Sequence, residues 1–384
     1  MAETFEKLGL SVSLAAGLKK AGFVAPTGIQ VKAIPLALLG RDIIGQSATG
    51  TGKTFAYLLP LLQKIDTDKK EMQSLILVPT HELAIQIQRQ IEKIAGESEI
   101  KVNSAPIIGN VNISRQIDKL KEKPHIIVGS SGRILELIQK KKITSQTIKM
   151  IVLDEADRLL DDKNVDTVKA VIKTTLKERQ IMLFSATITP KALEQAKTIL
   201  HNPELVSVMK EIEEKPDISH MYFVTEQRDK IEVLRKIARL VNVERALVFI
   251  NKSDSVEEAA EKLAYHGLKA ASIHGNSIKN DRKGALDDFR KGRIQVLIAS
   301  DIAARGLDIT DIDYVFNLDL PENPEAYLHR VGRTGRAGKS GVAVSIITKQ
   351  ELALIHKYEK VLKVKIAAKK MEHGKISDRN EMHK

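Results

Sequence analysis

A chain of 384 residues is too long for one ordinary domain, and 43% hydrophobic residues are ample for real cores, which excludes wholesale disorder. The absence of cysteine removes disulfides, thiolate metal sites and a cysteine nucleophile together, and fits a reducing compartment. A net charge of +12 attracts polyanions, nucleic acid being the commonest, while 4% aromatic residues and no tryptophan argue against a platform that stacks bases on rings; a bound nucleic acid is expected to be held by its backbone.

In chain order, Met1 to Leu10 lacks the basic start and apolar run of a signal peptide. No later stretch reaches the roughly 18 apolar residues of a membrane span, so the chain is expected to be soluble, cytoplasmic and without a membrane partner. Short apolar runs then recur between longer amphipathic stretches: Ile43-Ile44, Leu75 to Val78, Ile107-Ile108, Ile126 to Val128, Ile151 to Leu153 and Met182 to Phe184. A second set follows: Met221 to Val224, Ala246 to Ile250, Ala270 to Ile273, Val296 to Ala299, Tyr314 to Leu318 and Val342 to Ile347. Brief Val- and Ile-rich runs with room for a crossover helix between them read as buried parallel strands, hence an α/β sheet in each half. The charged, proline-containing stretch from Lys210 to Asp217 has no periodicity and reads as a linker. The expected organisation is a first domain over 1–208, a linker over 209–217, a second domain over 218–368 and a basic, frayed tail over 369–384.

Two segments carry chemistry on their own residues. Ser47-Ala48-Thr49-Gly50-Thr51-Gly52-Lys53-Thr54 follows the first strand and opens a helical run, the context of a phosphate-binding loop. Its glycines let backbone N–H groups face phosphates, and the helix N-terminus adds partial positive charge. Lys53 is expected to reach the β- and γ-phosphates and Thr54 to ligate Mg2+. The general pattern has glycine where this chain has Ser47. Asp154-Glu155-Ala156-Asp157 follows Ile151 to Leu153, which sets its leading carboxylates at the C-terminal end of a strand, where ligands bind in open α/β sheets. Alone, such a tetrapeptide is more often a charge cluster at a helix start. Paired with the phosphate loop, Asp154 is expected to hold Mg2+ through its water shell and Glu155 to orient and deprotonate the attacking water.

Asp154 to Asp157 spells D-E-A-D, and from Phe5 to Lys365 the chain resembles the DEAD-box RNA helicases. The resemblance implies two RecA-like parallel-sheet domains in tandem, ATP and Mg2+ as cofactors, and RNA bound across both domains, largely without regard to base sequence. It makes Gln30 the reader of adenine, an amide that can donate to N7 and accept from the N6 amino group. Phe5 is its upstream aromatic, and Gly28 stands where proline is usual. Ser185 and Thr187 resemble the motif coupling hydrolysis to closure; short hydroxyl residues before Pro190 also suit helix caps. Arg333 and Arg336 resemble arginine fingers, His329 and Arg330 tie into the acidic motif, and Asp308 contacts the ribose.

The RNA-contacting positions implied are Pro79, Thr80, His81, Glu82, Gly109, Ser130, Gly132, Arg133, Lys279, Arg282, Asp301, Arg305 and Gly306. Several depart from the family pattern. His81 replaces an arginine, Gly109-Asn110 a double glycine, Ser130-Ser131 a Thr-Pro pair and Lys279 a glutamine. Losing the charge at His81 removes about one phosphate contact, which Lys279 can restore. The function implied is RNA-stimulated ATP hydrolysis coupled to local unwinding of short duplexes. The alternative is an ATP-gated RNA clamp or chaperone with little unwinding. The short form is similar to small bacterial members acting in ribosome biogenesis on ribosomal RNA or pre-ribosomal particles, as monomers.

Overall fold

A parallel strand covered by helices on both faces needs apolar side chains at successive positions, because neighbours along the chain point to opposite sides. In the computed structural model this is how both halves are built. The structure describes residues 3–48, 50–109, 112–208, 217–251, 253–273, 279–300, 312–335, 340–372 and 374–378. The chain divides into two units, Met1–Glu213 and Glu214–Lys384.

Among the described residues the first unit holds seven strands: β1 (Ile43–Gln46), β2 (Ser74–Leu77), β3 (Ser104–Ile107), β4 (Ile126–Gly129), β5 (Met150–Asp154), β6 (Gln180–Ser185) and β7 (Glu204–Ser207). All are parallel, in the order β3-β4-β2-β5-β6-β1-β7. Alternate residues feed two cores. Ile76, Met150, Val152, Met182 and Phe184 face one side, against the helices Gly28–Leu38, Lys53–Lys64 and His81–Glu97. Leu75, Leu77, Ile151, Leu153, Ile181 and Leu183 face the other, against Ser131–Gln139 and Val165–Lys173. Each fully buried Leu or Ile contributes about 1.5–3 kcal/mol, which is why the uninterrupted apolar runs become the central strands. Pro106, which has no N–H to give, lies on the edge strand β3.

The second unit holds β8 (Ile218–Val224), β9 (Ala246–Phe249), β10 (Ala270–Ile273), β11 (Val296–Ala299), β12 (Tyr314–Asn317), β13 (Gly341–Ile347), β14 (Ala367–Glu372) and β15 (Lys375–Asp378). Their order is β10-β11-β9-β12-β13-β8-β14-β15, parallel except for the β14–β15 pair. Among the described residues, no helix is long and apolar enough to cross a membrane.

Three strands escape the apolar-run reading. β7 buries only Val206 fully, and its Leu205 is exposed. The expected frayed tail from Lys369 is corrected through Asp378: β14 pairs with β8, and β15 folds back on β14. Met371 faces Ile376 across that hairpin, and both pack against the second unit's core. One apolar residue per strand is enough once the pair is in register. Gly374, at φ 70°, makes the turn, a backbone conformation that favours glycine. Of the expected linker, residues 209–216 lie outside the described residues.

Candidate nucleotide site and RNA-facing loops

The β1–β6 and β5–β6 pairings align Gln46 with Ser185 and Asp154 with Phe184, which brings the ends of the three strands level. The phosphate loop leaves β1 there, tied by the Ser47 N–H donating to the Ser185 carbonyl at 3.2 Å. Ser47 is fully buried and its hydroxyl bonds that of Thr51, which in turn donates to the Ala48 carbonyl at 2.7 Å. The serine therefore braces the loop with a hydroxyl that glycine lacks. Lys53 Nζ donates to the carbonyls of Ser47 at 2.6 Å and Ala48 at 2.7 Å, so its ammonium lies across the loop it serves. Gly52 caps the helix Lys53–Lys64 at φ 89°, and a Cβ there would meet Gln30 Nε2 at 2.4 Å. Both facts require glycine.

Gln30 is not the solvated glutamine that a helix start ordinarily carries. It is 3% exposed, accepts from the Thr27 N–H at 2.9 Å and donates to the Gly52 carbonyl at 3.0 Å. This capping box with Thr27 fixes the amide against the phosphate loop. One N–H and one lone pair are left over, enough for an adenine edge. Phe5, the upstream aromatic of the adenine-reading segment, is 4% exposed and belongs to the same core as Leu8, Leu10 and Leu14.

Asp154 is 4% exposed. Its Oδ2 accepts from the Tyr57 hydroxyl at 2.7 Å and its Oδ1 from the Glu155 N–H at 2.9 Å. Burial pushes its carboxyl up to about 6; the Tyr57 bond opposes this, the Glu155 charge adds to it and Lys53 opposes it. Burial, then the neighbouring Asp154 charge, pushes the Tyr57 phenol well above its ordinary range, so the phenol stays protonated and donates. Glu155 adopts the left-handed conformation at φ 50°, ψ 51°, a strained turn for a residue with a side chain. Its Oε2 is buried, finds no hydrogen-bond partner among the described residues and lies 3.5 Å from Arg158 Nη1. Ser185 donates to Asp157 Oδ1 at 2.6 Å, which ties the expected coupling motif to the acidic motif inside one unit. The capping alternative belongs to Thr189, which accepts from the Ala192 N–H at 3.1 Å. The Thr187 hydroxyl is buried without a hydrogen-bond partner among the described residues.

Sequence reasoning passed over Tyr57 and Arg158. A signal was there for the first: Tyr57 sits inside an otherwise apolar run, Phe55 to Leu62, and a buried tyrosine needs a partner for its hydroxyl.

The expected RNA positions of the first unit follow β2, β3 and β4, the other half of the same sheet edge. Thr80 caps the helix His81–Glu97 by accepting from the Leu83 N–H at 3.3 Å. Ser130 stands at the N-cap of Ser131–Gln139, and Arg133 pairs with Glu136 at 3.4 Å. Pro79, His81, Glu82, Gly109 and Ser130 are half-buried, and Gly132 is exposed. In the second unit Arg282 and Arg333 are half-buried. Arg330, expected to tie into the acidic motif, has its guanidinium committed within the second unit. It is 2% exposed, bonds Asn251 at 2.7 Å, Asn317 at 3.3 Å and the Asp319 carbonyl at 2.5 Å, and stacks 5.0 Å from the Phe249 ring. A buried guanidinium is tolerated only with such a set of acceptors. It anchors the helix Pro324–Val331, which ends just before Arg333 and includes the half-buried His329. Thr49, Asn110, Asp301, Arg305, Gly306, Asp308, Arg336 and the side chain of Lys279 lie outside the described residues.

The donor set fits Mg2+. A helix-start hydroxyl (Thr54) and a buried carboxylate (Asp154) beside a phosphate loop are hard oxygen donors. The described residues contain no cluster of three or more His, Cys, Asp or Glu side chains that could hold a metal.

A phosphate loop after β1 and acidic residues at the end of β5, on a parallel sheet followed in the chain by a second α/β unit, define tandem RecA-like nucleotide-hydrolysing domains. Residues 27–196 match the DEAD/DEAH box helicase family and residues 229–338 the helicase conserved C-terminal domain. The chain is 42% identical over 356 residues to the DEAD-box ATP-dependent RNA helicase CshC of Bacillus cereus, spanning 93% of this chain and 90% of that protein. It is 41% identical over 355 residues to the probable ATP-dependent RNA helicase YfmL of Bacillus subtilis, spanning 92% and 93%. Among solved structures, Dbp5 of S. cerevisiae bound to RNA and ADP BeF3 superposes with a TM-score of 0.86 at 31% identity, over 96% of this chain and 95% of that one. The chain belongs to the DEAD-box ATP-dependent RNA helicases.

Proposed function

We propose that this helicase hydrolyses ATP on the first unit and uses RNA as both activator and substrate. The observation that carries this reading is the interlocked set at the ends of β1, β5 and β6: Lys53 on Ser47 and Ala48, Gln30 on Gly52, Ser185 on Asp157. In the proposal Gln30 reads adenine, while Lys53 and the loop N–H groups hold the phosphates. Glu155 takes a proton from the attacking water, its strained turn and the nearby Arg158 holding the carboxylate in place. Thr54 and Asp154 would hold Mg2+, which when bound would neutralise charge on the phosphates. Ser185 passes the state of the acidic motif on through Asp157. Arg333 and Arg336 stabilise the transferring phosphoryl group when the units close, and Asp308 takes the ribose.

The loops after β2, β3 and β4, with Lys279, Arg282, Asp301, Arg305 and Gly306, hold the sugar–phosphate backbone. A strand bent in that grip cannot stay paired, so a short duplex opens locally. The likeness to the family alone extends the proposal to ribosomal or pre-ribosomal RNA as the target, and to a monomer in the cytoplasm. The departures at His81, Lys279 and Ser130-Ser131 support a second reading, an ATP-gated clamp that grips RNA with little unwinding.

ATP hydrolysis with Mg2+, measured with no nucleic acid, with RNA and with matched DNA, tests the first reading. RNA alone is expected to stimulate, and Glu155→Gln to lower the stimulated rate by roughly 100-fold or more. Hydrolysis indifferent to RNA sinks it. A short RNA duplex that is bound but never separated moves the clamp to first place.

A further inference from the structure

The phenol of Tyr57 joins the two elements whose side chains are read as holding the cation. Its hydroxyl donates to Asp154 Oδ2 at 2.7 Å, and Thr54 stands nearly one turn earlier on the helix that carries it. Thr54 and Tyr57 are three residues apart on the helix Lys53–Lys64, so they share a face. Asp154 comes from the end of β5, on a different element. The ring is fully buried and packs against Phe184, centroids 5.5 Å apart, which leaves the hydroxyl no freedom to swing away. Asp154 is thus gripped on both oxygens, by Tyr57 on Oδ2 and by the Glu155 N–H on Oδ1. Each oxygen keeps a lone pair for an incoming ligand or its water.

We propose that Tyr57 is a positioning residue that sets the spacing of Thr54 and Asp154, and thereby the Mg2+ requirement of nucleotide binding. The proposal rests on the reading of Thr54 and Asp154 as the side chains that hold Mg2+. Tyr57 itself touches neither nucleotide nor metal. Partners that orient a metal-holding carboxylate set the affinity for the ion, and their loss typically costs ten- to a hundredfold.

The test is a Mg2+ titration of the full chain with a fluorescent ADP analogue, read as binding and not as turnover. Tyr57→Phe keeps the ring against Phe184 and removes only the hydroxyl. The Mg2+ concentration at half-response is expected to rise about tenfold, while affinity for the analogue without Mg2+ stays at the wild-type value. If Tyr57→Phe does not fold, 4-fluorophenylalanine at position 57 fills the hydroxyl's volume, donates nothing and is expected to give the same shift. A wild-type Mg2+ midpoint in a folded variant of either kind overturns the proposal, provided Asp154→Asn has lost its Mg2+ response. An Asp154→Asn protein with an unchanged midpoint overturns the metal-holding reading itself. Equal loss of affinity with and without Mg2+ overturns the positioning role, since Tyr57 would then support the loop as a whole.

Discussion

At the ends of β1, β5 and β6 the functional side chains hold one another; at the ends of β2, β3 and β4 they hold mostly their own helices. Gln30 bonds Gly52, Tyr57 bonds Asp154 and Ser185 bonds Asp157, each joining segments far apart in the chain. Thr80 caps the helix it begins, and Arg133 pairs with Glu136 three residues on. The first arrangement suits chemistry, where a small misplacement of a carboxylate is costly. The second suits a grip on a repeating backbone, where any cation or small polar group at about the right place serves. In the proposed reading, that tolerance accommodates the departures at His81 and Ser130-Ser131. Ser47, the one change inside the phosphate loop, comes with a compensating bond to Thr51.

The sharpest way to break this contrast is Asp154→Asn. Hydrolysis is expected to fall by roughly 100-fold, as for loss of a metal-site group. The same variant is expected to melt higher than the wild type in the absence of nucleotide. Burial raises the Asp154 carboxyl from 3.8 to about 6. The cost of ionising it therefore builds between those values and is complete above pH 6, worth up to about 3 kcal/mol. The melting difference should be present at pH 7.5 and close as pH falls towards 4. A difference that is constant with pH contradicts the account of Asp154.

Ser185→Ala tests whether the interlocking transmits anything. It leaves Asp157 without its 2.6 Å donor. RNA-stimulated hydrolysis is expected to persist, while separation of a short duplex drops about tenfold, in line with an orphaned, half-buried acceptor. Parallel loss of both activities would make Ser185 a mere brace.

The smallest effect is expected on the RNA half. His81→Arg adds one cationic contact and should tighten RNA binding a few-fold, steepening the slope of log affinity against log salt by about 0.7. No change in slope would remove His81 from the backbone grip.

The sheets and the phosphate chemistry were legible because they are written locally. Twelve apolar runs became strands, the central ones buried on both faces, and the phosphate loop and D-E-A-D need only a strand before them and a helix start after. The β14–β15 hairpin was not legible, since its apolar content is one Met371–Ile376 pair that counts only in register. Nor were the roles of Tyr57, Arg158 and Arg330. Tyr57 and Asp154 are 97 residues apart and meet at 2.7 Å. Arg330 is read through the resemblance as tying into the acidic motif, while its acceptors on Asn251, Asn317 and Asp319 bury it in the second unit. Sequence determines which groups can do chemistry, because side-chain type and local backbone suffice for that. Which groups hold them in place is decided only when the sheet aligns strand ends, because a buried polar atom takes whatever partner the register supplies.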